Sequence, residues 1–151
     1  PRSVHLRGDA FRRMIVSGRA ELGFALSPEA ERQLELRYRL AASAAALYLE
    51  AGFWVVYQDV VFGAGLTRVL DLLPTGHPRY LVVLCPKPAV AAERDRARRK
   101  TAYADDPEAE AGVFDAALRS DTPRLGLWLD SSSLSVEQTL DTILSSLPSA
   151  R

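Results

Sequence analysis

Phe53-Trp54-Val55-Val56-Tyr57-Gln58-Asp59 is the stretch that decides the fold of this chain. Its first five residues are all aromatic or β-branched, which is typical of a strand buried on both faces in a parallel sheet. Comparable apolar runs occur at Tyr80–Cys85 and Leu125–Leu129, and a shorter one at Val4–Leu6. Helical patterns lie between these runs. The sequence therefore predicts an α/β fold, in which helices cover both faces of a mostly parallel sheet in a three-layer arrangement.

The predicted helices have recognisable ends. Ser27-Pro28-Glu29 supplies a capping hydroxyl, a proline at the first helical position and an early acid, and Gly52 ends the helix that follows. Asp9 is a predicted N-cap for a helix from Ala10 to Ser17. Further helices are predicted over Leu66–Leu73, Ala89–Lys100 and Glu108–Arg119, and from the Ser135–Gln138 capping box to about Leu147. The expected apolar stripe of the helix after Ser27 comprises Leu34, Leu36, Tyr38, Leu40, Ala44, Leu47 and Tyr48.

Composition narrows the class of protein. The 151 residues predict one domain spanning residues 1–151, and the formal net charge of zero argues against a nucleic-acid or membrane-surface binder. Cys85 is the single cysteine, and no apolar run reaches the roughly 20 residues that span a bilayer. A cytoplasmic protein is expected. All but two of the 19 basic residues, Lys87 and Lys100, are arginine, which is typical of a GC-rich bacterial gene.

Polar residues follow the apolar runs, at the carboxyl ends of the strands where open parallel sheets bind ligands. Asp9 is a candidate general base, accepting a proton from a substrate hydroxyl that attacks a phosphoryl group. The helix N-cap is the alternative role, and the two are compatible. Arg7, Arg12 and Arg13 surround Asp9 and are candidates to bind an anionic or hydroxyl-rich substrate. Their alternative role is that of a solvated helix face.

Two further candidates concern a metal ion and a phosphoryl group. Asp59 follows its strand in the pattern of a Walker B aspartate, which holds Mg²⁺ directly or through water, although any strand end can carry an aspartate. Arg94 and Arg98 share a helix face at i, i+4 and could clamp a transferring phosphoryl group. The alternative is an exposed helix in which Glu93 and Asp95 partly balance the charge.

Taken together, five stretches resemble the chloramphenicol-phosphotransferase-like and gluconokinase-like small-molecule kinases of the P-loop superfamily. The stretches are His5–Arg12, Val55–Asp59, Leu81–Pro86, Arg94–Tyr103 and Thr122–Asp130, so the similarity covers nearly the whole chain. The resemblance implies a P-loop nucleoside-kinase type of sheet. It also implies an ATP- and Mg²⁺-dependent transferase that phosphorylates a hydroxyl of a small molecule, with neither nucleic acid nor membrane as partner.

The resemblance also implies a role for each group of candidates. Asp9 would be the catalytic base and Asp59 the magnesium-associated acid. The arginine-rich helix would be a lid over the ATP phosphates, and the residues after the last strand would pack the adenine. The lid and adenine residues are Arg94, Arg98, Lys100, Asp130, Ser131 and Ser132, and those beside the acceptor are Arg12 and Arg13.

The first strand of that family and its G-x-x-x-x-G-K-[ST] loop are not in this sequence, which begins at Pro1 rather than at a methionine. In the family's usual sheet order the first strand lies at the centre, between the third and fourth. Either a segment upstream of Pro1 supplies it, or this chain fills the gap in another way. A non-catalytic interaction domain with a degenerate P-loop fold is the alternative. A nucleotide or polynucleotide kinase is a second enzymatic alternative, which the neutral net charge disfavours.

Overall fold

A computed structural model describes residues 1–23, 25–97 and 107–147. These residues confirm a mixed α/β fold with parallel strand pairs. The elements are β1 (Ser3–Arg7), α1 (Gly8–Arg13), α2 (Pro28–Glu50), β2 (Trp54–Gln58), α3 (Ala64–Leu72), β3 (Val82–Leu84), α4 (Pro88–Ala97), α5 (Pro107–Asp121), β4 (Leu127–Leu129) and α6 (Val136–Ser146).

The chain divides into two compact units. The first comprises Pro1–Val61 and Gly65–Gly76, and the second comprises Phe62–Ala64 and His77–Arg151. The four described strands pair within these units, as β1 with β2 in the first and as β3 with β4 in the second. A single domain over residues 1–151 stays a prediction.

The first unit is built on the parallel β1–β2 pair, in which Leu6 faces Tyr57 and Arg7 faces Gln58. Helix α2 contacts both strands. It begins as predicted, because the Ser27 side chain accepts a hydrogen bond from the Ala30 N–H at 3.1 Å. Gly52, with a φ of 78°, follows the end of α2. A left-handed backbone of this kind is easy only for glycine.

The buried face of α2 differs from the predicted apolar stripe. Its buried residues are Ala30, Arg37, Tyr38, Ala41, Ala42 and Ala45, whereas Leu36, Leu40, Leu47 and Tyr48 are exposed. Of the predicted stripe, only Tyr38 is among them. Small side chains allow a helix to approach its neighbours closely, so the alanine face is the one that packs. The prediction from large apolar residues was wrong for this helix.

Strand β2 is not buried on both faces, contrary to the prediction. Burial alternates along it, and Trp54 and Val56 are 65% and 60% exposed. Val55 and Tyr57, which alternate with them, are half-buried, because successive side chains of a strand point to opposite faces. An uninterrupted apolar run allows a strand to be buried on both faces. The second face is buried only where another layer of the fold packs against it.

The second unit contains the short parallel β3–β4 pair, with Val83 facing Trp128. The side chains of both strands are half-buried or exposed, so these strands too depart from the prediction of burial on both faces. Helices α4 and α5 pack against each other. The predicted capping box of α6 is confirmed: Ser135 accepts from the Gln138 N–H at 3.1 Å, and the Gln138 side chain accepts from the Ser135 N–H at 2.9 Å.

Helix α1 is shorter than predicted and starts earlier. Its N-cap is Arg7, which provides no side-chain hydrogen bond, so Asp9 lies in the first turn rather than at the cap. An acid in the first turn still interacts favourably with the partial positive charge of the helix N-terminus. Among the described helices, none combines the length and apolar character needed to cross a membrane.

Candidate functional site

The first site candidate lies where β1 and β2 end side by side. Because Arg7 and Gln58 are paired in the parallel register, Gly8-Asp9 and Asp59 follow at the same edge of the sheet. Gly8 packs directly against the Asp59 carboxylate, and a Cβ at this position would overlap the carboxylate atoms. The glycine is thus required by the acid on the neighbouring strand.

Asp59 is the centre of a buried polar cluster. Its side chain is 4% exposed, and its Oδ1 lies 3.2 Å from Nη2 of Arg37, which is itself 8% exposed. The Tyr57 hydroxyl donates to Oδ2 at 2.7 Å, and the Val60 N–H donates to Oδ1 at 2.8 Å. Both carboxylate oxygens are therefore engaged, and the charge of Asp59 is balanced by the guanidinium.

The cluster also perturbs its tyrosines. Burial, followed by the hydrogen bond to Asp59, raises the pKa of Tyr57 well above its ordinary value, so this phenol stays a hydrogen-bond donor. Burial likewise raises the pKa of Tyr38, which stands next to Arg37 on α2. The Arg37 guanidinium lies 5.4 Å from the Tyr38 ring centroid. These contacts hold Asp59 in one position beside the end of β1.

The predicted magnesium role of Asp59 has little support in this geometry. Mg²⁺ needs oxygen ligands arranged around an octahedron, several of them water. Asp59 is buried and already paired with Arg37, and the described residues contain no group of three His, Cys, Asp or Glu side chains able to hold a metal. Any Mg²⁺ role for Asp59 stays a prediction.

Asp9, the predicted general base, is accessible. Its side chain is 43% exposed, and its Oδ2 lies 2.6 Å from Nη2 of Arg13 one helical turn on. Arg7 is exposed at the end of β1. The structure thus brings Arg7, Asp9 and Arg13 together on one short segment at the sheet edge, where an acceptor could approach them.

Arg12 lies on the same helix but turns inward. Its side chain is 19% exposed and donates from Nη2 to the Ala20 carbonyl at 2.7 Å. Gln33 of α2 holds the same loop, since its Oε1 accepts from the Ala20 N–H and its Nε2 donates to the Gly18 carbonyl. The position of Arg12 is therefore fixed by the loop between α1 and α2.

The second unit brings another group of predicted residues together. Arg94 of α4 donates to the Ser131 carbonyl at 2.8 Å, to the Ser131 hydroxyl at 3.2 Å and to the Leu134 carbonyl at 3.2 Å. The Lys87 N–H donates to the Ser132 hydroxyl at 2.7 Å. Arg94 thus holds the loop that follows β4, where the resemblance implies that adenine packs.

Asp130 is tied into the same loop. It accepts from both the hydroxyl and the N–H of Ser132. These two bonds, the side-chain bond first, lower the pKa of Asp130. Arg98 and Lys100, the remaining lid residues, lie outside the described residues.

Sequence reasoning missed Arg37, Tyr57 and Gly8, which position Asp59. A signal for Arg37 was present, because it falls on the line of small residues through Ala30 and Ala41 that becomes the buried face of α2. An arginine on such a line must be paired, and an aspartate after the adjacent strand is the obvious partner.

No family model and no curated protein matches this chain.

Proposed function

We propose that this chain is the acceptor-binding part of a small-molecule kinase of the P-loop type, with ATP as phosphoryl donor and Asp9 as catalytic base. The observation that carries the proposal is the register of β1 and β2. It sets accessible Asp9 and buried Asp59 at the same end of two neighbouring parallel strands. That end of such a sheet is where ligands bind.

The chemistry assigned to Asp9 is proton transfer. Its carboxylate accepts the proton of the acceptor hydroxyl as that oxygen bonds to the γ-phosphorus and the bond to the ADP oxygen breaks. Arg13 orients the carboxylate through its 2.6 Å ion pair. Arg7 lies exposed next to Asp9 and is the candidate to bind the acceptor. A positioned base contributes about 10²–10⁴-fold to rate.

The strand pairing supports the finer fold proposal, a three-layer P-loop sheet. In the family's order the strands equivalent to β1 and β2 pair with each other, and those equivalent to β3 and β4 do likewise, with a central strand between the pairs. Each unit by itself has the pairing that this order requires, and both pairs are parallel.

Phosphoryl transfer is tested with the longest natural polypeptide that contains this sequence. The polypeptide is incubated with γ-labelled ATP, Mg²⁺ and a panel of hydroxylated metabolites and antibiotics, and phosphorylated product is detected. In parallel, ATP is titrated against the melting temperature. The proposal requires stabilisation by ATP together with transfer to at least one acceptor, and stabilisation without transfer to any panel member counts against it.

A non-catalytic interaction domain is the second candidate, and two contacts favour it. Asp59 is neutralised by Arg37 rather than open to a metal, and Arg94 is bonded to the carbonyls of its own unit. Side chains paired within the fold in this way support a scaffold role. Absence of both ATP stabilisation and transfer would select this candidate.

A further inference from the structure

A small cavity lies between α1 and α2 in the first unit. Its volume is about 20 Å³, and its apolar walls include Phe11, Ile15 and Leu40. Two arginines from the two helices, Arg12 and Arg37, also line it. A space of this size holds about one water-sized atom.

Both arginines have a buried donor without an acceptor. Nε of Arg12 and Nε of Arg37 are shielded from solvent and have no hydrogen-bond partner among the described residues. Nη2 of each arginine is engaged elsewhere, since that of Arg12 donates to the Ala20 carbonyl and that of Arg37 contacts Asp59. Buried donors in folded proteins almost always find an acceptor, so two orphans lining one cavity indicate an absent ligand.

The charge around the cavity selects the chemistry of that ligand. None of its described lining residues is acidic. The Glu21 carboxylate lies 3.9 Å from Nη2 of Arg12, and the Glu21 side chain is 94% exposed. Little of the Arg12 charge is therefore neutralised within the cavity. Hydrogen bonds from guanidinium groups to anions are roughly twice as strong as those between neutral groups. A negatively charged acceptor is therefore favoured over water.

We propose that this cavity binds a single anionic atom, held by the Nε–H groups of Arg12 and Arg37. The atom is a halide ion or one oxygen of a carboxylate or phosphate group whose remainder extends outward. Anion binding here does not depend on phosphoryl transfer, because the two donors belong to the fold of α1 and α2. The two proposals can therefore fail separately.

The test observes the two donors directly in ¹⁵N–¹H spectra of arginine side chains. The chain is prepared in an anion-poor buffer and titrated separately with sodium chloride, sodium formate and sodium phosphate, with formamide as the neutral counterpart of formate. The Nε–H signals of Arg12 and Arg37 are expected to shift together and to saturate with at least one anion. Formamide is expected to leave both signals in place. The salt with the lowest Kd identifies the source of the anionic atom.

Two variants make the assignment specific. Arg12→Lys keeps the charge and removes the Nε donor, and it is expected to weaken anion binding, read at Arg37, at least tenfold. Arg32→Lys alters an exposed arginine of α2, the helix that carries Arg37. Arg32 is paired with Glu29, and its substitution is expected to leave the Kd unchanged.

Three outcomes overturn the proposal. The first is a wild-type titration in which neither signal saturates with any of the three anions. The second is an Arg12→Lys variant, folded by its backbone spectrum, that binds as tightly as the wild type. The third is a cross-peak from water to both Nε–H groups that persists at the highest anion concentration, which would mean an ordered water only. The wild-type titration decides the matter even if a variant fails to fold.

Discussion

Breaking the ion pair between Arg37 and Asp59 is expected to destabilise the first unit strongly. Arg37→Met keeps most of the side-chain volume and removes the charge, leaving a carboxylate that is 4% exposed without its counter-ion. Removing one partner of a buried pair costs about 3–5 kcal/mol. Because Tyr57 and Val60 still donate to Asp59, the lower end of this range, about 3 kcal/mol, is expected.

Urea unfolding followed by circular dichroism measures this loss. With a slope of about 2 kcal/mol per M urea, a loss of 3 kcal/mol moves the midpoint down by about 1.5 M. Arg68→Met is the matched control, since its 2.6 Å pair with Glu35 is solvent-exposed and its loss should leave the midpoint nearly unchanged.

A double-mutant cycle then separates the interaction energy of the pair from the other effects of each substitution on stability. The variant Arg37→Met/Asp59→Asn removes both charges and should lose less stability than the sum of the two single changes, by about 1–3 kcal/mol. A loss below about 1 kcal/mol for Arg37→Met, or strictly additive effects in the cycle, would refute the interpretation of this cluster as a buried ion pair.

Three other predictions follow from contacts in the two units. Gly8→Ala should lower the free energy of unfolding by about 1–3 kcal/mol, because the new methyl group overlaps Asp59. Gly112→Ala, in the interior of α5 where no atom crowds the new methyl group, should raise it by about 0.5–1 kcal/mol. Urea unfolding measures both changes. Because the pKa of Tyr57 is raised in the folded state, its neutral phenol contributes stability that is fully present below about pH 10, the ordinary tyrosine pKa. This contribution is lost as the pH rises toward the folded-state pKa. Tyr57→Phe should therefore flatten the fall in stability at alkaline pH. Ser135→Ala, which removes the capping box, should cost about 1 kcal/mol and shorten α6 in hydrogen-exchange measurements.

Each of these predictions has an outcome that contradicts it. Equal effects of alanine at Gly8 and Gly112 would mean that Asp59 does not occupy the space beside Gly8. An unchanged alkaline profile in Tyr57→Phe would remove the phenol from the buried cluster, and Tyr48→Phe at an exposed tyrosine is its control. Protection of α6 that survives Ser135→Ala would show that capping contributes little to this helix.

The order of elements could be predicted from the sequence because local signals were strong. Ser27 with Pro28 and the Ser135 capping box marked helix starts that the structure confirms. The apolar runs around Val55 and Leu127 became strands, both with parallel partners. Side chains within a few residues determine where a helix begins, so helix starts can be predicted without knowledge of the tertiary structure.

Burial and pairing were harder to predict because they depend on residues far apart in the chain. The exposure of Trp54 and the burial of Arg37 both follow from how α2 packs on the sheet. The Arg37–Asp59 contact joins residues on different elements, and a pattern search at strand ends saw only the aspartate. For that reason the ion pair of Asp59 with Arg37 was missed, and the metal role of Asp59 stays a prediction.

A single-turnover measurement of phosphoryl transfer in Asp9→Asn tests the central claim most directly, using an acceptor found in the panel. Asp71→Asn, at an exposed acid of α3, is the matched control. The proposed role predicts a fall in the transfer rate of about 10²–10⁴-fold in Asp9→Asn with ATP affinity unchanged, and full activity in the control. Transfer at the wild-type rate by Asp9→Asn would contradict the assignment of Asp9 as the catalytic base.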